Sequence, residues 1–305
     1  MKIAFLFVGQ GSQKVGMGKE VYVSYASAKV LFDTVKTDFD LKKITFEGPE
    51  ATLNDTAYTQ VCLLVTSLAI AQALAEEGIK AEGVAGLSLG EYSALMYAQV
   101  LPLDQAITLV LQRSHIMASA LPSGTSSMSA VLSDQLDVIR NAVAQNKKGI
   151  VEIANYNSPQ QFVLSGEIDA LRQVENTLKA QGINRIIPLK VSGAFHSSLL
   201  INASHDLNNC LSQVTWHNPQ IPVYFNFSGQ IETELVKALT LQICHSVQWT
   251  KTIQNMIKDG FDTFIEIGPG KTLANLVRQI NSEVKVYSVE SLSSIEKLKG
   301  ELKHE

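Results

Sequence analysis

Gly86-Leu87-Ser88-Leu89-Gly90 fits the G-x-S-x-G pattern of a nucleophile elbow, in which a serine sits on a sharp strand-to-helix turn with its hydroxyl exposed. Five residues make a short pattern, and a chain with 19 Gly can produce one by chance. The flanks give it meaning. An apolar stretch ending Val84-Ala85 reads as a strand, and Glu91 to Met96 can open a helix. Small residues on both sides of the serine let the backbone bend that tightly. An ordinary strand-to-helix turn with a capping serine is the alternative at this point.

Working outward, short apolar runs alternate with longer amphipathic ones, which is the pattern of an α/β protein. Ile3–Val8 reads as a strand ending in Gly9-Gln10-Gly11-Ser12-Gln13. Helices are expected over Glu20–Lys36, Gln60–Glu77, Glu91–Ala98 and Asp104–Leu121. The middle of the chain differs. Ser127–Leu132, Ile150–Ala154, Phe162–Ser165 and Arg185–Lys190 read as strands, with helices over Asp134–Gln145 and Glu167–Gln181. That order, β-α-β-β-α-β, is the ferredoxin-like arrangement. It starts after Pro122-Ser123-Gly124 and ends before Ser192-Gly193. Beyond it, Pro222–Phe227 and Phe261–Ile267 read as strands, and Trp249–Lys258 and Lys271–Ile280 as helices. The expected architecture is a discontinuous, hydrolase-like α/β domain (1–124 and 192–305) carrying an inserted ferredoxin-like subdomain (125–191).

Bulk properties narrow the function. In 305 residues, 46% are hydrophobic and 18% charged, enough for a sizeable core. A net charge of -4 argues against general nucleic-acid binding. Three widely spaced cysteines, Cys62, Cys210 and Cys244, point to a reducing compartment. Ile3 to Val8 is too short for a signal core. The greasy segment Val61 to Ala75 is interrupted by Thr66, Ser67 and Gln72, so it reads as a buried helix and not as a membrane span. The expectation is a soluble cytoplasmic protein, and nothing demands more than a monomer.

A serine nucleophile needs a base. Of the six histidines, His115 falls on a polar helix face, and His205, His217, His245 and His304 have no supporting pattern. His196 lies in Val191-Ser192-Gly193-Ala194-Phe195-His196-Ser197-Ser198, ahead of a helix expected from about Leu199. The positive end of that helix would favour neutral imidazole, the form a general base needs. A histidine that merely starts the helix is the competing view. Arg113 is the other anomaly, because it projects into the apolar stripe of its helix between Leu109 and Met117. An arginine aimed at a core keeps its charge and needs an anion opposite. Either a protein carboxylate or the carboxylate of a substrate would answer that need.

Two lookalikes fall away. Gly268-Pro269-Gly270-Lys271-Thr272 resembles the end of a phosphate-binding loop, but Ile265 stands where the first Gly belongs. No H-E-x-x-H or C-x-x-C spacing occurs, so neither a metal nor another cofactor is expected.

These residues converge. Along nearly its whole length the chain resembles the malonyl-coenzyme A:acyl carrier protein transacylases of fatty acid synthesis. The matching stretches are Phe7 to Gln13, Tyr58-Thr59-Gln60, Gly86 to Leu95, Arg113 with Met117, Asn155 to Pro159, Val191 to Leu199, and Glu266 to Lys271. The resemblance implies ping-pong transfer through a malonyl ester on Ser88, with His196 as base and then acid. It implies backbone N–H groups of Gln10 and Leu89 as the oxyanion hole and the main-chain carbonyl of Gln242 as the group that orients His196. Arg113 becomes the malonate clamp, with Gln60, Asn157 and Phe195 as further substrate contacts. The Phe195 ring would crowd an α-methyl branch. Leu87, Ala194, Cys244 and Ser246 depart from common family choices without touching the Ser-His-Arg set. Implied partners are malonyl-coenzyme A and acyl carrier protein, for whose acidic surface Lys179, Arg185 and Lys190 are candidates. A thioesterase on the same scaffold, a malonyl transferase serving a polyketide synthase and a catalytically silent homologue are the rival readings. A buried cation has no use in a hydrolase for neutral acyl chains.

Overall fold

The computed structural model describes residues 1–191 and 193–303. Two sheets organise the chain. The larger is parallel and five-stranded, built from β1 (Ile3–Phe7), β2 (Gly83–Gly86), β7 (Val223–Tyr224), β8 (Thr263–Ile267) and β9 (Lys285–Val289) in the order β7-β2-β1-β8-β9. Its centre is buried on both faces, which is why Ile3 to Phe7 is an unbroken apolar run and not an alternating one. Strands from both ends of the sequence share this sheet, so the unit is discontinuous.

The second sheet is antiparallel: β3 (Ser126–Leu132), β4 (Val151–Ser158), β5 (Gln161–Glu167) and β6 (Ile186–Pro188), ordered β4-β5-β3-β6. Helices Leu136–Gln145 and Ile168–Ala180 complete the ferredoxin-like unit. Period-two alternation decides what each face does. Val131, Phe162 and Leu164 pack with Ile139, Leu171 and Val174 into a separate small core. Met128, Ala130 and Val163 point the other way and join the main core. One face of the small sheet therefore serves its own helices, and the other is a wall for whatever lies between the two sheets. Ser192, at the expected exit from this unit, lies outside the described residues.

Helix Thr56–Glu76 is long and apolar enough to cross a membrane by length and composition, yet 83% of its most apolar window is buried inside the protein. Asp55 caps it through the Ala57 amide, which starts the helix earlier than Gln60. The expected helix Glu20–Lys36 is instead two helices, Lys19–Ser24 and Ala26–Thr34, separated by extended Tyr25. Pro222–Phe227 yields only the two-residue β7, while β4 runs on to Ser158. Helices Leu41–Glu47, Leu235–Gln242 and Leu292–Leu302 and the half-exposed edge strand β9 are additional to the sequence reading.

Candidate active site

Ser88 stands at the end of β2, just before helix Gly90–Tyr97, with φ at 53°. A positive φ costs a non-glycine residue free energy, and such strain persists only where the surroundings over-determine it. They do so here. A Cβ on Gly86 would stand 1.9 Å from the carbonyl carbon of Gly90, and one on Gly90 would stand 2.1 Å from the Phe7 carbonyl oxygen. The turn is thus pressed between its own helix and β1. Buried Asn226 clamps it from below: its Oδ1 accepts from the Ser88 amide at 2.6 Å and its Nδ2 donates to the Gly86 carbonyl at 2.6 Å.

His196 also has a positive φ, 57°. Its amide donates to Ile243 O, and the loop behind it is pinned where Glu152 of β4 accepts from the Ser198 amide at 2.9 Å and from the Ser198 hydroxyl at 2.5 Å. The ring spans 2.7 Å to the Gln242 carbonyl through Nδ1 and 2.9 Å to Ser88 Oγ through Nε2. A carbonyl only accepts, so Nδ1 carries the proton and Nε2 is left to accept from the serine hydroxyl. Burial holds the imidazole well below its ordinary value, at about 4; the Gln242 carbonyl pulls it up and the nearby Arg113 charge pushes it down. Residues Ser198–Leu200 form a single 3-10 turn before helix Ile201–Leu211, and desolvation is what keeps the ring neutral.

Arg113, only 1% exposed, lies on helix Leu103–Ser119. Its Nη1 donates to Gln60 Oε1 at 2.6 Å, and its Nη2 donates to Gln242 Oε1 at 3.0 Å and to Ser88 Oγ at 3.2 Å. The guanidinium lies 5.1 Å from the Tyr92 ring centre, a cation–π distance, and Nε has no hydrogen-bond partner among the described residues. None of these contacts is a carboxylate. Glu91 is near enough to be felt, yet burial pushes its carboxyl up to about 8, so at neutral pH it is largely protonated. Among the described residues no carboxylate lies within ion-pair distance of the guanidinium. The cation is held by neutral groups and aimed at the serine.

These groups meet beneath a cavity of about 170 Å³ between the two sheets, lined by Gln10, Ser88, Asn157, Phe195 and His196 among others. That is well under the ~300–1,000 Å³ of a cleft for drug-sized ligands and suits a small acyl group. Its roof is the outward face of the small sheet, Met128, Ala130 and Val163. The buried Asn157 Oδ1 atom has no hydrogen-bond partner among the described residues, so it offers a free acceptor at the cavity wall. Gln60 sits deeper, between Arg113 and the Gln10 side chain, 3.4 Å away. Beside Ser88, Leu87 reaches the lining, while Leu89 is buried outside it.

All nine site residues named from the sequence are therefore close together: Gln10, Gln60, Ser88, Leu89, Arg113, Asn157, Phe195, His196 and Gln242. Three more were missed: Asn226, Glu91 and Tyr92. A buried glutamate one turn beyond the elbow is the only one with a visible sequence signal. Outside the cavity, Lys179, Arg185 and Lys190 are exposed, as are His115, His205, His217 and His245. His304 lies outside the described residues. The phosphate-loop lookalike has its own explanation, since the buried Glu266 carboxylate accepts from the Leu273 and Ala274 amides at 3.0 Å each and fills that helix N-terminus.

Comparison with known proteins gives the family. The model of the acyl transferase domain family matches residues 4–304. The chain is 37% identical to a malonyl CoA-acyl carrier protein transacylase of Bacillus subtilis over 100% of its own length and 98% of the relative's. A crystal structure of the transacylase of that name from Clostridium perfringens superposes with a TM-score of 0.94 at 39% identity, covering 100% of this chain and 98% of that one. A malonyl-transacylase solved with its type II PKS acyl-carrier protein also has a TM-score of 0.94, at 33% identity, with 99% and 100% covered. The chain belongs to the acyl transferase domain family and, within it, to the malonyl CoA-acyl carrier protein transacylases.

Proposed function

We propose that the protein moves a malonyl group from malonyl-coenzyme A to the phosphopantetheine thiol of acyl carrier protein, supplying fatty acid synthesis. The observation that carries this reading is the Arg113 guanidinium, buried without a carboxylate partner and directed at Ser88 Oγ. A buried cation held by neutral groups is a site for an anion, and malonyl is an acyl group that brings its own carboxylate.

The chemistry follows from the hydrogen bonds. As Ser88 Oγ attacks the thioester carbon, its proton passes to His196 Nε2, while Nδ1–H stays on the Gln242 carbonyl. The tetrahedral oxyanion is held by the amides of Gln10 and Leu89. The C–S bond then breaks, the coenzyme A sulfur takes the proton from Nε2, and a malonyl ester remains on Ser88. The carrier thiol reverses the sequence: it gives its proton to Nε2, attacks the ester carbon, and Oγ regains a proton as it leaves. Throughout, the substrate carboxylate rests on Arg113, and Phe195 and Asn157 border the acyl chain.

The reading takes residues 125–191 as a subdomain that roofs a site built by the discontinuous remainder. It takes the enzyme as a cytoplasmic monomer working without cofactor, in keeping with three free cysteines. Lys190, Arg185 and Lys179, exposed on the small subdomain, are the basic groups offered to an acidic carrier. The decisive experiment is intact-mass analysis after mixing with malonyl-coenzyme A. A gain of one malonyl group on Ser88, discharged by holo acyl carrier protein and absent from Ser88→Ala, is expected. Loading of the Ser88→Ala protein, or release as free malonate in place of transfer, would overturn it.

A further inference from the structure

The side chain of Gln242 makes two contacts unrelated to the carbonyl that its backbone presents to His196. Its Oε1 accepts from Arg113 Nη2 at 3.0 Å, and its Nε2 donates to the Ser88 carbonyl oxygen at 2.9 Å. The assignment of the amide is not arbitrary. A guanidinium has only donors, so the oxygen of the carboxamide must face it, and the nitrogen is left for an oxygen that can only accept. Gln242 is fully buried and has no solvent to satisfy either atom.

Tethering the Ser88 carbonyl has a consequence one atom further along. The peptide joining Ser88 to Leu89 is planar and trans, so its C=O and N–H point in opposite directions. The same oxygen also accepts from the Glu91 amide of the following helix at 3.1 Å, and with Gln242 added as its second donor the Leu89 N–H is held pointing away from both. Rotation of that peptide would withdraw the donor from the oxyanion. The Ser88 N–H cannot substitute, because Asn226 Oδ1 already accepts it at 2.6 Å.

We propose that the Gln242 carboxamide is a positioning residue that, together with the Glu91 amide, fixes the direction of the Leu89 N–H, and so completes the oxyanion hole from the side opposite the substrate. This deepens the transfer reading and rests on it only for the role of Leu89. It also ties the clamp to the elbow, since one amide holds both the guanidinium and the peptide that stabilises the oxyanion.

Two variants test it, and both retain the main-chain carbonyl that His196 needs. Gln242→Met keeps the volume; Gln242→Ala leaves a space of carboxamide size. The rate of Ser88 modification by a fluorophosphonate probe, whose phosphoryl oxygen takes the oxyanion position, is expected to fall by about 100-fold. The pH midpoint of that rate is expected to stay where it is in the parent protein. Formamide is expected to restore part of the rate in Gln242→Ala, which serves as the measure should Gln242→Met fold poorly. Labelling within two-fold of the parent, a displaced pH midpoint (an effect running through His196), or no response to formamide overturns the proposal. The probe carries no malonyl group. A parent protein that labels at Ser88 but does not take malonyl from coenzyme A would therefore sink the transfer reading and leave this one intact.

Discussion

Arg113 Nη2 lies 3.2 Å from Ser88 Oγ, a cation in hydrogen-bond contact with the nucleophile it serves. The contact is available only because the groups around the guanidinium, Gln60 and Gln242, are neutral amides that bind it without cancelling its charge. On the proposed reading an incoming carboxylate would replace the longest of these contacts, while the hydroxyl keeps its bond to His196 Nε2.

Arg113→Ala should accordingly lower the rate of malonyl loading by about 100- to 10,000-fold, the scale of two charge-assisted hydrogen bonds at ~1.5–3 kcal/mol each. Acetyl loading, with no carboxylate to lose, should change by less than ~10-fold. Single-turnover acylation with the two thioesters makes the comparison. Equal losses would mean that the arginine merely holds the core together.

The pH profile should report an imidazole that stays neutral far into acid. With His196 held at about 4, protonation removes the base only near that pH, so kcat/KM for loading should be flat from about pH 5 to 7.5. An ordinary imidazole would show a midpoint near 6.5. Finding one there would mean that the ring is wetter than its burial indicates.

Glu91 gives a stability signature of opposite kind. Burial raises its folded-state value to about 8, against about 4.3 in an unfolded chain, so across that window the folded state holds a proton that the unfolded one releases. The contribution to stability is fully present below about pH 4 and is lost as pH rises through 8. Glu91→Gln should therefore gain in Tm relative to the parent between pH 5 and 8, with the two curves converging in acid. Parallel Tm curves would dispose of the idea.

Asn226 clamps two backbone groups of the elbow, and truncating it leaves both buried and unpaired. At ~1–3 kcal/mol per orphaned group, Asn226→Ala should cost about 2–6 kcal/mol in denaturant unfolding. Asn226→Asp, which can still accept from the Ser88 amide but cannot donate to Gly86 O, should recover only part of that. Full recovery by aspartate would place the whole effect on the Ser88 amide.

Why Asn226 escaped the sequence while Arg113 did not is instructive. Arg113 announces itself locally, as a charge within the apolar stripe of one helix, and the periodicity that exposes it spans eight residues. Asn226 sits between Phe225 and Phe227 beside a two-residue strand, and its partners are 138 and 140 positions away. No window along the chain contains that relationship. Gln242 is a third case: the contact it makes with His196 is through its main chain, which no side-chain pattern can record, so only the family resemblance brought it forward. The ferredoxin-like unit was legible from the order of its short apolar runs and amphipathic helices between two hinge segments, not from alternation, since both faces of its strands are covered. The break at Tyr25 was not, because neither Gly nor Pro marks it, and an extended tyrosine there is decided by how the two short helices pack.

Phe195 sets the last expectation. It is 6% exposed and lines a cavity of about 170 Å³, so its ring leaves little room beside the acyl α-carbon. An α-methyl group must either displace the ring or push the carboxylate off Arg113, and overpacking of this kind costs ~1–3 kcal/mol. Phe195→Ser removes the ring and should raise loading of methylmalonyl relative to malonyl by on the order of 10-fold or more, chiefly by admitting the branched substrate. Competition between the two coenzyme A thioesters for Ser88, read by intact mass, measures the ratio directly. An unchanged ratio with both rates reduced would show that the ring supports the His196 loop and has no part in choosing the substrate.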